Sequence, residues 1–125
     1  MSVEVLVSPS APPALGPYSH AVRAGDFIVL AGQLGIDPST GVMADGVEAQ
    51  SRQALSNIAA ILADHGRTMG DVAKATVFLV DLSEFPLMNA EYGAAFGDHK
   101  PARSTVQVGL PAGGRVEIEV WAYVG

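Results

Sequence analysis

The stretch RVEIEVWAYV at residues 115–124 alternates between two sets of side chains, and this alternation decides the fold. Successive side chains of a β-strand point to opposite faces of a sheet, so the pattern predicts a long closing strand over Arg115–Val124. The apolar set is Val116, Ile118, Val120, Ala122 and Val124, and the opposing set is Glu117, Glu119, Trp121 and Tyr123. We expect the apolar set to lie under helices, which leaves Glu117 on a helix-free face.

The strand predicted before it, Arg103–Val108, has the same period. Its more apolar set is Ser104, Val106 and Val108, and its opposing set is Arg103, Thr105 and Gln107. If the two strands share one sheet and the apolar sets share one face, Arg103, Thr105 and Glu117 lie together on the helix-free face.

Four further strands are predicted upstream, at Val3–Val7, Ser19–Arg23, Phe27–Gln33 and Lys74–Asp81. The second and third form a hairpin around Gly25, because a short loop with glycine is typical of such turns. Together with the two strands above, the chain is expected to contain six.

Two helices are predicted from apolar residues at steps of three and four. The first carries Val47, Ser51, Ala54, Leu55, Ile58, Ile61 and Leu62, with a capping-box start at Asp45 and a stop at His65–Gly66. The second begins near a Ser83 cap, carries Phe85, Tyr92 and Phe96 on one face, and ends at Gly97. The order predicts a single α+β domain over residues 1–125, with one six-stranded sheet and both helices on one face.

Composition excludes several classes of protein. The chain has 125 residues, no cysteine, 49% hydrophobic residues and a net charge of -6. Disulfides and cysteine chemistry are therefore excluded, and no nucleic-acid partner is expected, since phosphate binding needs a basic patch. No membrane span or signal peptide is expected, which predicts a cytoplasmic protein. Because a small apolar chain has much surface for its volume, we expect it to pack against copies of itself.

No nucleotide-binding, metalloprotease or serine-hydrolase motif occurs, and the three histidines lack the spacing of metal ligands, so no metal is expected. Asn89 is unusual because it interrupts the apolar stripe of the second helix. A buried amide needs hydrogen-bond partners, so Asn89 either satisfies nearby backbone groups or serves a site.

Several short motifs together resemble one family. They are Gly16-Pro17-Tyr18-Ser19, Ala31-Gly32-Gln33, the helix around Gln53–Asn57, Lys74–Phe78, Phe85–Tyr92 with Asn89, Pro101-Ala102-Arg103-Ser104, and Leu110-Pro111 followed by Val116–Glu119. In this order, over nearly the whole chain, they resemble the RidA (YjgF) family of enamine/imine deaminases. The resemblance implies a chorismate-mutase-like fold, a homotrimer with a central barrel, and active sites between adjacent subunits.

The resemblance also implies a reaction and its residues. The reaction is hydrolysis of 2-aminoacrylate-type enamines, or their 2-imino-acid tautomers, to 2-keto acids and ammonia, without cofactor or metal. Arg103 matches the family arginine that clamps the substrate carboxylate, and Glu117 matches the glutamate that activates water. The resemblance places Tyr18, Ala31, Gly32, Asn89 and Thr105 around the substrate.

Two positions depart from the family pattern and leave alternatives open. Ala31 stands where serine is common, and Thr105 stands where cysteine is common. The chain is therefore expected to deaminate 2-iminobutanoate or 2-iminopropanoate, or else another enamine such as the aminoacrylate of pyrimidine breakdown or 2-aminomuconate. A non-catalytic, metabolite-binding member is a further alternative. Ribonuclease activity, a label that the family also carries, is disfavoured by the net charge.

Overall fold

The computed structural model describes residues 2–125. Its sheet consists of β1 (Glu4–Leu6), β2 (Ala21–Ala24), β3 (Phe27–Leu30), β4 (Gln33–Leu34), β5 (Val72–Leu79), β6 (Ala102–Gln107) and β7 (Val116–Tyr123), and its helices are α1 (Gly46–Asp64) and α2 (Phe85–Phe96). The strand order is β1-β2-β3-β7-β5-β6, with β4 also paired to β7. Only β5 and β6 run parallel; the other pairs are antiparallel. The α+β class and the two helices are confirmed, and the sheet is open rather than closed.

The sheet has seven strands where six were predicted, because the strand expected at Phe27–Gln33 is broken in two. Val29 of β3 faces Trp121, but Gln33 of β4, four residues later, faces Ile118, only three residues back along β7. One residue is therefore extra on the β3–β4 side, which is the geometry of a β-bulge. The extra residue falls at Ala31–Gly32 and turns the chain beside β7.

The core forms between α1 and the alternating apolar residues of β7, as the sequence predicts. Val116, Ile118, Val120 and Ala122 are fully buried, whereas Trp121 and Tyr123 are 47% and 52% exposed. From α1, Ala54, Leu55, Ile58, Ile61 and Leu62 pack into the same cluster. Burying such side chains contributes about 1.5–3 kcal/mol each, so this layer holds the sheet and helices together.

The helix starts differ in detail from the predicted caps. Asp45 is the N-cap residue of α1, but its side chain makes no capping hydrogen bond. Before α2, the carboxylate of Asp81 accepts a hydrogen bond from the Ser83 amide, so Asp81, not Ser83, stabilises the turn that leads into the helix. Within residues 2–125, no helix is both long and apolar enough to cross a membrane.

The predicted placement of Arg103 and Thr105 is wrong. In the parallel pair β5–β6, Arg103 lies opposite Ala75 and Thr105 opposite Val77, both fully buried on the helix-covered face. Arg103 and Thr105 therefore lie on the helix side, while Glu117 lies on the open face.

The error has a physical cause in the edge strand. The open face also carries apolar side chains, including Val106, which is 42% exposed, and Trp121. Apolar character alone therefore did not identify the face of β6 that lies under the helices.

Candidate active site in two halves

Two cavities contain most of the predicted site residues, and they lie on opposite sides of the sheet. The first, the acidic half-site, has a volume of about 380 Å³ and includes Tyr18, Ala31, Gly32 and Glu117. The second, the basic half-site, has a volume of about 400 Å³ and includes Asn89, Tyr92, Lys100 and Arg103. Each is within the range of small-molecule sites, but neither holds the whole set of predicted residues.

Among the residues that the structure describes, Glu117 is the only carboxylate that lines the acidic half-site. It is part-buried on the open face, where burial raises its pKa and the negative charge of Glu119 raises the pKa further. No Lys or Arg side chain lines this cavity among the described residues, so no cation of the same chain offsets the effect. The pKa of Glu117 is therefore higher than that of an exposed glutamate, so this carboxyl group keeps its proton to higher pH.

Gly32 allows Glu117 to occupy this position. A Cβ atom at Gly32 would lie 2.8 Å from Cδ of Glu117 and closer still to its Oε1. The β-bulge that separates β3 from β4 therefore brings a backbone without a side chain directly against the carboxylate. The amide of Ala31 is anchored by a 2.9 Å hydrogen bond to the carbonyl of His20.

The rest of the acidic half-site comes from the proline-rich loop between β1 and β2. His20 Nε2 forms a 2.8 Å hydrogen bond with the carbonyl of Pro12, which fixes the loop to the start of β2. The Tyr18 hydroxyl accepts a hydrogen bond from the Leu15 amide, and the Tyr18 side chain is 49% exposed. Tyr18 was expected in the site from the family resemblance, whereas His20 was considered only as one of three histidines without metal-ligand spacing. The position of His20, two residues after Tyr18, was the feature of the sequence that could have indicated its place in the site.

In the basic half-site, Arg103 is held by one face of α2. Its Nη1 donates a 2.8 Å hydrogen bond to Oδ1 of Asn89. Its Cζ lies over the rings of Tyr92 and Phe85, 4.6 Å and 5.2 Å from their centroids, within the range of cation–π interactions. The predicted anomaly of Asn89 is thus explained, because this amide holds an arginine.

Arg103 has no acidic partner in the part of the chain that the structure describes. The two ion pairs found there are Arg52–Glu91 and Arg115–Glu84. Lys100, whose Nζ donates a 3.1 Å hydrogen bond to the Gly97 carbonyl, also lines the cavity, and no Asp or Glu does. A positively charged cavity in an acidic chain is suited to an anion.

Thr105 lies two residues beyond Arg103 on the same face of β6. Its hydroxyl is buried and has no hydrogen-bond partner among residues 2–125. The structure therefore brings Tyr18, Ala31, Gly32 and Glu117 together, and groups Asn89 and Arg103 elsewhere with Thr105 along the same strand. Site roles were not predicted for Phe85, Tyr92 and Lys100. Phe85 and Tyr92 were, however, placed on the apolar stripe that contains Asn89. The described residues contain no group of three His, Asp or Glu side chains that could hold a metal ion.

The chain is similar to known proteins over nearly its full length. The family model described as endoribonuclease L-PSP matches residues 8–124. A RutC family protein of Pyrococcus horikoshii is 47% identical over 122 residues, which cover 96% of this chain and 97% of the relative. A protein of Salmonella typhimurium named 2-iminobutanoate/2-iminopropanoate deaminase is 42% identical over 123 residues, with 95% and 96% of the two chains covered.

Solved structures show the same fold. RidA from an Antarctic Psychrobacter species is 42% identical and superposes with a TM-score of 0.93 over 97% of this chain and 99% of that one. The YjgF gene product of Escherichia coli is 41% identical, with a TM-score of 0.91 over 96% of this chain and 98% of that one.

Proposed function

Since the chain belongs to the RidA (YjgF) family, we propose that it hydrolyses the C=N bond of small 2-imino acids, which are the tautomers of reactive enamines. The products are a 2-keto acid and ammonia. The proposal rests chiefly on one observation: a cationic cavity without acids and an acidic cavity without Lys or Arg lie on opposite faces of one sheet. A single chain cannot close them around one substrate, whereas two copies can.

Arg103 binds the substrate carboxylate. Its Nη1 is engaged by Asn89, which leaves Nε and Nη2 without a partner among the described residues. These two donors form one edge of the planar guanidinium, the geometry that binds a carboxylate through two parallel hydrogen bonds. Asn89 and the backbone near Thr105 complete the wall on this side.

Glu117 of the adjacent copy acts as the general base. In its ionised form it takes a proton from water while the water oxygen bonds to the imine carbon and the C=N electron pair moves to nitrogen. The protonated Glu117 then returns the proton to nitrogen, which gives a carbinolamine. Glu117 next carries the hydroxyl proton to the same nitrogen, the C–N bond breaks, and ammonia leaves as the carbonyl forms. The raised pKa of Glu117 suits both halves of this exchange. Tyr18, Ala31 and Gly32 line the pocket around the reacting carbon.

The open sheet face supports an assembly of identical chains, and we propose a homotrimer with active sites between subunits. Val5, Val106, Trp121 and Tyr123 are all more than 40% exposed on this face. A patch of this kind is typical of a surface covered by another protein. We place the activity in the cytoplasm, where pyridoxal-phosphate enzymes would release such imines; no cofactor is required in this scheme.

Mixing two inactive variants tests the shared site. Arg103→Ala removes the carboxylate clamp, at a cost of about 2–5 kcal/mol, and Glu117→Gln removes the base. Each variant alone should fail to lower the semicarbazide adduct formed from imines that an amino-acid oxidase generates. After unfolding and refolding together in equal amounts, about a quarter of the sites in random trimers carry both native residues, so activity should return to about that level.

The mixture also separates the outcomes. Recovery supports both the activity and the division of the site between chains. An active unmodified protein whose mixed variants stay inactive would contradict the shared site. If the unmodified protein binds 2-oxobutanoate by calorimetry but turns over no imine, the chain is a metabolite-binding member and the deaminase proposal is wrong.

A second substrate class is favoured by Ala31, which lines the acidic half-site with a methyl group where serine is common in the family. Loss of a hydroxyl makes this wall less polar, which favours an enamine other than 2-aminoacrylate. Measurement of kcat/KM for 2-iminopropanoate and for larger imines, with Ala31→Ser as the matched variant, distinguishes these two substrate classes.

A further inference from the structure

Three residues of α2 surround the guanidinium of Arg103. Phe85, Asn89 and Tyr92 follow one another at steps of four and three, so they occupy one face of the helix. Asn89 binds Nη1, and the two rings lie over Cζ. We propose that Tyr92 and Phe85 are positioning residues that fix the plane of the Arg103 guanidinium, so that its Nε–Nη2 edge is presented to a carboxylate before the carboxylate binds.

The two rings are suited to this task because they pack in or against the hydrophobic core, and Arg103 does not. Tyr92 is 8% exposed and its ring packs against that of Phe96 at an angle of 42°, with 4.6 Å between ring centroids. Met88 of the same helix is fully buried. A buried aromatic ring has few accessible rotamers, whereas an unpaired arginine has many, so contact with the rings removes rotamer freedom that substrate binding would otherwise have to remove.

The ring of Tyr92, rather than its hydroxyl, carries the role. The Tyr92 hydroxyl is buried and has no hydrogen-bond partner among the described residues. Burial raises the pKa of Tyr92, against the opposing effect of Arg103, so the phenol stays neutral at physiological pH. It therefore offers Arg103 a π-face instead of a negative charge.

Kinetics of four single variants test this role, which rests on the proposed deaminase function. Tyr92→Leu and Phe85→Leu remove a ring and should raise KM for 2-iminobutanoate about three- to tenfold, the equivalent of one cation–π contact, with a smaller change in kcat. Tyr92→Phe restores the ring and should restore KM. Met88→Ala is the structural control, because it removes a fully buried side chain of the same helix that does not line the basic half-site. It should lower thermal stability and leave KM close to the parent value.

A spectroscopic readout keeps the inference independent of turnover. The Nε–H resonance of Arg103 should be shifted by ring currents in the parent and in Tyr92→Phe, and should move toward the position of an exposed arginine in Tyr92→Leu. If the parent turns over no imine but the resonance behaves in this way, the deaminase proposal fails and the positioning role stands. If the resonance and KM of Tyr92→Leu and Phe85→Leu match the parent, or if Met88→Ala raises KM as much, the positioning role is wrong.

Discussion

The basic half-site is formed by residues of a helix that packs against the core, whereas the acidic half-site is formed by a loop and a β-bulge. Arg103 is held by α2, three of whose residues, Met88, Tyr92 and Phe96, are buried. Glu117 stands on a central strand, but its surroundings come from the proline-rich loop and the Ala31–Gly32 break. The proposed binding and proton-transfer roles therefore fall on separate parts of the fold, so each can be perturbed alone.

The largest effect expected from this division is a kinetic split between the two half-sites. Glu117→Gln keeps the shape of the side chain but removes the base, so kcat should fall about 10²–10⁴-fold with little change in KM. Arg103→Ala should instead raise KM. Steady-state kinetics with oxidase-generated 2-iminobutanoate measures both. If both variants changed KM equally, separate roles for Arg103 and Glu117 would be contradicted.

A smaller effect is expected from Gly32→Ala, which disturbs the acidic half-site alone. The new Cβ would displace the Glu117 carboxylate, a flexible group that can move, so kcat should fall about 10–100-fold while the unfolding midpoint barely changes. Gly35→Ala is the matched control. Its Cβ would lie 2.5 Å from the backbone Cα of Gln50, so it should destabilise the fold. Loss of stability in Gly32→Ala comparable to that in Gly35→Ala would show that Gly32 serves packing.

The sequence predicted much of the half-site on β7 because burial on that strand is unambiguous. Every apolar residue of Val116–Ala122 was placed on the correct face. The edge strand β6 misled the same reasoning, because its open face carries the small or apolar side chains, including the exposed Val106, while its helix-side face carries polar ones. The β-bulge was not predicted either, since Ala31–Gly32 is compatible with continuous strand; only the contact with Glu117 makes it necessary.

Asn89 shows how far a local anomaly can lead. The sequence left two alternatives for this amide in an apolar stripe, satisfaction of backbone groups or a role in a site. In the structure Asn89 is exposed and has Arg103 as its partner. The partner of Asn89 could not be predicted from the sequence, because it depends on the parallel register between β5 and β6. The family resemblance supplied the residues of both half-sites, while alternation alone placed Arg103 on the wrong face.

A modest effect on pH dependence is expected from the second carboxylate near the acidic half-site. Burial, and then Glu119, raises the pKa of Glu117, so activity should fall as pH decreases through a value above the ordinary 4.5 of glutamate. Glu119→Gln removes the smaller cause and should move this acid limb of kcat/KM to slightly lower pH. Glu48→Gln, an exposed position in the first turn of α1, is the control and should leave the limb in place. An unchanged limb in Glu119→Gln would mean that Glu119 does not act on the base.

The smallest effect concerns backbone strain, which the structure places only on the acidic side. Ala112 has a φ of 57°, the only positive φ of a non-glycine residue in residues 2–125, and it follows Pro111, which lines the acidic half-site. An L-residue with a positive φ is strained by about 1–2 kcal/mol in the folded state. Glycine removes this strain but raises the entropy of the unfolded chain, which destabilises the fold by about 0.4–1 kcal/mol. Ala112→Gly should therefore stabilise the fold by about 0.5 kcal/mol. Denaturant unfolding measures the change, and Ala44→Gly, at a position without positive φ, should destabilise instead. If both variants destabilise, the turn is not strained, and the two half-sites differ in packing alone.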